Sequence, residues 1–319
     1  MKRMFLLFLS AIMMLAPVLN SCGGAEEQSS KIPEESAGAD KSIAESTAEG
    51  SEDVSEQASA EPPESIKILF IGNSFSADTA EHTVDILKAL GVNDVRVSYL
   101  YQGGCSINKH YTQLINDSAA YEYYANAGSG WTLVKNQKIS TVVSKYSWDY
   151  IVIQHGTLDG SKYADEKSYE NLAKLVSGVK EKAKGEPKIV FNMTWVGEPN
   201  SHAEMIAYGN DGEKYFADIC KLTEQTVAKT SGIDIVSPTG TAVQNARSAY
   251  DKLITRDGYH LSMGFGRYVA GLMLVKTLTR LDIDNIVWAP DGVTEKEKQI
   301  AIDAVNAAYE NNYTVTDIS

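Results

Sequence analysis

Cysteine is almost missing from this chain, with three in 319 residues. None forms a Cys-x-x-Cys pair, and no His-Glu-x-x-His occurs, so the spacings that mark zinc sites and thioredoxin-type redox chemistry are absent. No Gly-x-Gly-x-x-Gly and no Gly-Lys-Ser/Thr is present either, which removes dinucleotide and P-loop nucleotide binding. Basic residues are the minority charge: 29 Lys and Arg stand against 42 Asp and Glu, for a net of −13. A chain so poor in positive charge lacks the electrostatic footprint of a nucleic-acid binder. Long apolar runs are also scarce. The one that exists, Met4 to Val18, is shorter than the ~20 residues a membrane-spanning helix needs.

That run follows Met1-Lys2-Arg3, and a charged start before a short apolar stretch reads as a secretory signal. It ends in Leu19-Asn20-Ser21-Cys22, which resembles a bacterial lipobox. The resemblance implies a signal over 1–22, lipidation of Cys22 and a protein held outside the cytoplasm on the bacterial cell membrane. Residues 23–65 are Ser, Ala, Glu, Gly and Pro with almost no large apolar side chain. Such a stretch cannot bury enough surface to offset its chain entropy, and it reads as a disordered linker. It also carries twelve acidic residues against two basic, most of the net charge of the chain. The folded part, 66–319, is thus only mildly acidic and long enough for one substantial core.

Within 66–319, short β-branched apolar runs at 67–71, 95–99, 150–154, 188–192 and 234–236 read as buried parallel strands. Amphipathic stretches at 80–90, 166–183, 213–230, 239–250 and 265–281 read as helices between and after them. Thr294 with Glu297 three residues on reads as a capping box opening a last helix that runs to about Tyr309. Strands alternating with helices predict a three-layer α/β/α sandwich around a mostly parallel five-stranded sheet. In such sheets ligands sit at the carboxyl ends of the strands. The segment 111–147, rich in Tyr and Gly, reads as an insertion after the second strand, either a roof over the site or a packed surface excursion. Cys105 and Cys220 leave a disulfide open outside the cytoplasm.

The chemistry rests on two short words. Gly72-Asn73-Ser74-Phe75-Ser76 follows the first predicted strand, and Asp257-Gly258-Tyr259-His260 lies far downstream. Alone, the first also fits a tight turn, a helix cap or an anion site, and the second a plain turn. Together they hold a nucleophile, a base and an orienter. A serine hydroxyl needs a base to take its proton. A histidine titrates in the right range, and an aspartate fixes its tautomer.

The order of words resembles the SGNH, or GDSL-type, hydrolases. Besides these two words it includes a glycine after the second strand, here in Gly103-Gly104, and Leu261-Ser262-Met263-Gly264 after the histidine. The resemblance implies a flavodoxin-like fold and a serine esterase that needs no cofactor and no metal. Ser74 would be the nucleophile, with His260 as base and Asp257 as its orienter. Ser74 and Gly104 would supply backbone oxyanion donors. One block departs: after the third strand the chain reads Ile153-Gln154-His155-Gly156-Thr157-Leu158, with Leu158 at the place of the family's oxyanion asparagine. Either the hole works with its two backbone donors, or another side chain substitutes, with Gln154 the expected donor and His155 an alternative. Asn73 and Trp195 are expected to line the substrate, together with Trp131, Tyr101 and Tyr259 as stacking platforms. The expected substrate is an O-acylated, above all O-acetylated, carbohydrate. The competing reading is a glycan- or solute-binding lipoprotein without catalysis.

Overall fold

Alternating side chains divide the sheet of this protein between two cores. The structure, a computed structural model, describes residues 60–156 and 170–319. The signal, Cys22, most of the linker and Leu158 lie outside the described residues. Strand β1 (Ser65–Gly72) sends Ile66, Ile68 and Phe70 to one face and Leu69 and Ile71 to the other. Strands β5 (Tyr150–Ile153) and β6 (Lys188–Asn192) do the same, Val152 and Val190 facing one way, Ile151, Ile153, Ile189 and Phe191 the other. A strand apolar on both faces needs helices on both. Helices α1 (Ser74–Ala80), α2 (Thr83–Ala89), α8 (Thr239–Ala249), α9 (Phe265–Thr279) and α10 (Glu295–Glu310) cover the first face. Helices α3 (Ile107–Ile115), α4 (Ile139–Val143), α5 (Leu172–Lys182) and α7 (Gly212–Gln225) cover the second. The three layers are therefore as the sequence predicts.

The strand count is not. Seven strands run in the order β4-β3-β2-β1-β5-β6-β7, with β2 at Asp94–Tyr101 and β7 at Ile235–Ser237. Five of them are parallel, close to the predicted ranges. The other two, β3 (Tyr121–Asn126) and β4 (Thr132–Gln137), form an antiparallel hairpin on the free edge of β2. They come from the segment read as an insertion, which widens the sheet instead of roofing the site. The signal in β3 is its period of two: Tyr121, Tyr123 and Ala125 are buried. Strand β4 is exposed along nearly its whole length and has no burial pattern to read.

Two predicted helices are also shorter. The stretch 80–90 is divided between α1 and α2, with the break at Glu81 and His82, and α7 stops at Gln225 before a 3₁₀ turn at Val227–Lys229. The capping box is made in full, Thr294 and Glu297 each bonding the other's backbone N–H. Cys105 and Cys220 are both buried and are not bridged to each other. Among the described residues no helix is long and apolar enough to cross a membrane.

The parallel register sets the site. Gly72 pairs with Tyr101 and Ile71 with Ile153, so β1, β2 and β5 end level with one another. The turns that follow them, at 73, 102–106 and 154–156, leave the sheet at one edge.

Candidate active site

Asn73 caps α1 and thereby places Ser74 at its first position. Its Oδ1 accepts from Phe75 N at 3.0 Å, the bond expected of an N-cap. The same oxygen accepts from Gln154 Nε2 at 3.0 Å, while Asn73 Nδ2 donates to Cys105 O at 3.2 Å. One buried side chain therefore ties together the turns after β1, β2 and β5. Ser74 is left half-buried with its hydroxyl free to face the base.

The base lies on a hairpin-like loop. Thr255 bridges Leu261, and Arg256 N donates to His260 O at 2.8 Å, so 257–260 form the tip. Gly258 takes a left-handed φ of 98°, which admits glycine readily and lets the tip reverse. His260 Nε2 stands 2.7 Å from Ser74 Oγ, and its Nδ1 stands 2.6 Å from Asp257 Oδ2. The second carboxylate oxygen, Oδ1, accepts from His260 N at 2.9 Å and Tyr259 N at 3.3 Å. Burial raises the Asp257 pKa, but the bonds from the His260 ring and from these two N–H groups outweigh it and hold the carboxyl below its usual range. An ionised carboxylate fixes the proton on Nδ1, and Nε2 is left to accept from the serine hydroxyl.

Two ion-pair clusters that the sequence reading missed hold this loop. On one side Asp78, fully buried on α1 one turn after Ser74, accepts from Arg267 Nε and from Arg256 at 2.9 Å each, and from Leu261 N at 2.9 Å. Arg256 also donates to Leu261 O. On the other side Glu198 bonds Arg247 at 3.1 Å and Thr255 Oγ1 at 3.0 Å, and its N–H reaches Gly258 O. The only trace of Asp78 in the sequence is a carboxylate beside the buried Thr79 and one turn from Phe75. Its partners lie 178 and 189 residues away, beyond any local pattern.

The structure thus brings Ser74, Asp257 and His260 together, and it sets three other expected residues elsewhere. Gln154 is wholly buried, out of reach of substrate, with Nε2 donating to Asn73 Oδ1. It holds the cap and is not an oxyanion donor. Asn73 has both amide atoms engaged and is 1% exposed, so it does not line the substrate. Trp195 is 2% exposed, stacks on Phe75 at 4.4 Å and donates from Nε1 to Tyr259 O, which makes it a floor under the loop. His155, the alternative donor, is buried against Thr194, and burial pushes its pKa down to about 3. The backbone N–H groups of Ser74 and Gly104 have no acceptor among the described residues, and Gly104 has a left-handed φ of 57°. No group of three His, Cys, Asp or Glu placed to hold a metal occurs among the described residues.

Residues 67–311 match the family model described as a domain of unknown function, DUF4886. A crystal structure of a DUF4886 family protein from Bacteroides uniformis is 28% identical, covers 80% of this chain and 98% of its own, and superposes with a TM-score of 0.74. Two weaker likenesses are an acetyl-xylooligosaccharide esterase variant from Geobacillus stearothermophilus and a member of the lipolytic G-D-S-L family from Veillonella parvula. The first is 16% identical over 69% of this chain and 95% of its own, with a TM-score of 0.42. The second is 16% identical over 68% and 100%, with a TM-score of 0.45. No curated protein matches the sequence.

Proposed function

This chain belongs to the DUF4886 family, and for it we propose a serine ester hydrolase of the SGNH type. The observation that carries the reading is the unbroken relay from Asp257 through His260 to Ser74, with contacts of 2.6 and 2.7 Å. Ser74 Oγ attacks an ester carbonyl while His260 Nε2 takes its proton. Negative charge then develops on the carbonyl oxygen, and the N–H groups of Ser74 and Gly104 receive it. His260 passes its proton to the leaving alkoxide, which departs as an alcohol and leaves an acyl-serine. Water, deprotonated by the same imidazole, releases the acid and restores Ser74. Each preorganised donor in such a hole is worth ~10²–10³ in rate, so a hole of two backbone donors supports catalysis without the asparagine that Leu158 replaces.

The substrate proposed is an O-acylated carbohydrate at the cell surface, reached by a domain tethered through lipidated Cys22. The support is the lipobox-like Leu19–Cys22 sequence, the acidic linker behind it, and the half-buried rings of Tyr101 and Tyr259 near the nucleophile.

A fluorophosphonate probe tests the nucleophile. Modification at Ser74 in the wild type, lost in Ser74→Ala together with turnover of a small acyl ester by a factor on the order of 10⁶, is the expected result. A folded protein that neither reacts nor turns over would support the binding-lipoprotein reading instead.

A further inference from the structure

A second cleft lies at the far end of α1, about 10 Å of helix from Ser74. It has a volume of about 630 Å³ and runs between the β3–β4 turn and the loop before α10. That volume falls within the range of small-molecule sites. Two half-buried indoles, Trp131 and Trp288, line it. Both are braced from behind: Trp131 meets the Tyr99 ring at 5.0 Å, and Trp288 meets Tyr268 at 5.9 Å and His82 at 5.7 Å. Rings held this way form flat, preorganised faces.

The polar groups are placed with equal economy. Asn126, at the end of β3, is 8% exposed and lines the cleft. Its Oδ1 accepts from Gly128 N at 2.8 Å and Gly130 N at 3.2 Å, which fixes the orientation of the amide. Its Nδ2 has no acceptor among the described residues. That donor is open to solvent within the cleft and can take a partner from outside. His82 lines the same cleft and is fixed by a 2.8 Å bond from Nε2 to Met263 O. Burial lowers its pKa, so the ring is neutral and Nδ1 is an acceptor. The cleft therefore presents one rigid donor, one rigid acceptor and two aromatic faces.

From this arrangement we infer that the cleft binds a neutral sugar ring. Sugar hydroxyls both donate and accept, so neighbouring hydroxyls of one ring match Asn126 Nδ2 and His82 Nδ1, and the apolar C–H face of the ring lies on an indole. An organic cation fits the cleft less well. Glu81 is neutralised by Arg267 at 3.2 Å, and Asp85 and Asp291 are exposed to solvent that screens them. The inference stands whether or not Ser74 is a nucleophile. If both hold, the cleft anchors a glycan whose acyl groups are presented to the serine.

The test is titration of the Ser74→Ala chain with xylopentaose, cellopentaose, mannopentaose and chitopentaose, followed by tryptophan fluorescence, with hexyltrimethylammonium as the cationic control. At least one sugar saturates the signal, and Asn126→Asp, which keeps the turn-capping oxygen but loses the donor, weakens it tenfold or more. Trp131→Ala does the same. No saturation by any of the four sugars, an affinity unchanged in Asn126→Asp with a native circular dichroism spectrum, or saturation by the ammonium ion alone overturns the proposal. Loss of ester turnover with sugar binding intact would sink only the hydrolase reading.

Discussion

The two ends of the relay are held by different physics. Ser74 takes its place from local structure: a strand ends, Asn73 caps the next helix, and the hydroxyl is fixed within three residues of chain. His260 sits on a tip closed by a single bridge and a few local bonds, and long-range contacts to Asp78 and Glu198 hold its flanks. The nucleophile's position is thus a property of the fold edge, while the base's position is a property of charged residues brought together from across the domain.

The sharpest way to break the base end is Asp257→Asn. It keeps the shape of the tip but presents an amide to Nδ1, which favours the wrong tautomer. An activity loss of about 10⁴ is expected in kcat with the fold intact, read by steady-state kinetics and circular dichroism. The pH profile follows from the same carboxylate. Because its hydrogen bonds hold Asp257 below the usual carboxylate range, it is ionised at neutral pH. The stability this contributes is present above the unfolded-state pKa and is lost as pH falls through the lower folded value. The Asp257 carboxyl then contributes no ionisation near neutrality to the pH profile of kcat/KM, and one assigned to it there would refute this reading.

Asp78→Asn comes next. Removing one partner of a buried ion pair costs about 3–5 kcal/mol, and here it also frees the flank of the loop. The midpoint of denaturant unfolding falls, and kcat drops at temperatures where the variant is still folded, with KM little changed. If kcat survives, the ion pair is purely structural. At the nucleophile end, Asn73→Ala removes the cap and strands Gln154 Nε2. About 2–4 kcal/mol of stability is lost, from a cap worth ~1 kcal/mol and a buried donor worth ~1–3. The smallest effect is expected for Glu198→Gln, whose side chain is 20% exposed and keeps an acceptor for Thr255. A change of about 1–2 kcal/mol in a double-mutant cycle with Arg247→Met would measure it.

The same contrast explains what could be read in advance. The five parallel strands were legible because burial on both faces leaves continuous apolar runs, and the capping box at Thr294 because it is a local device. Ser74, Asp257 and His260 were legible because a relay of this kind needs a hydroxyl, an imidazole and a carboxylate, and those residue types stand in two short words. Gln154 and Asn73 were misassigned for a physical reason: an amide that can face an oxyanion can equally cap a helix, and only the fold decides which acceptor it meets. Trp195 was misread for a similar reason, since an indole serves as a floor as readily as a platform. Strand β4 carries no burial period, and Asp78 meets cations that lie far off in sequence, so neither was visible locally.

The serine and the imidazole are separated by 186 residues of chain. A polypeptide still emerging from the ribosome therefore carries Ser74 without its imidazole partner until residue 260 has been made. The Arg267 that steadies the tip through Asp78 is drawn from α9, so reactivity arises only after that helix has docked. A copy that stops before Arg267 would carry Ser74 without the partners that complete and steady the relay.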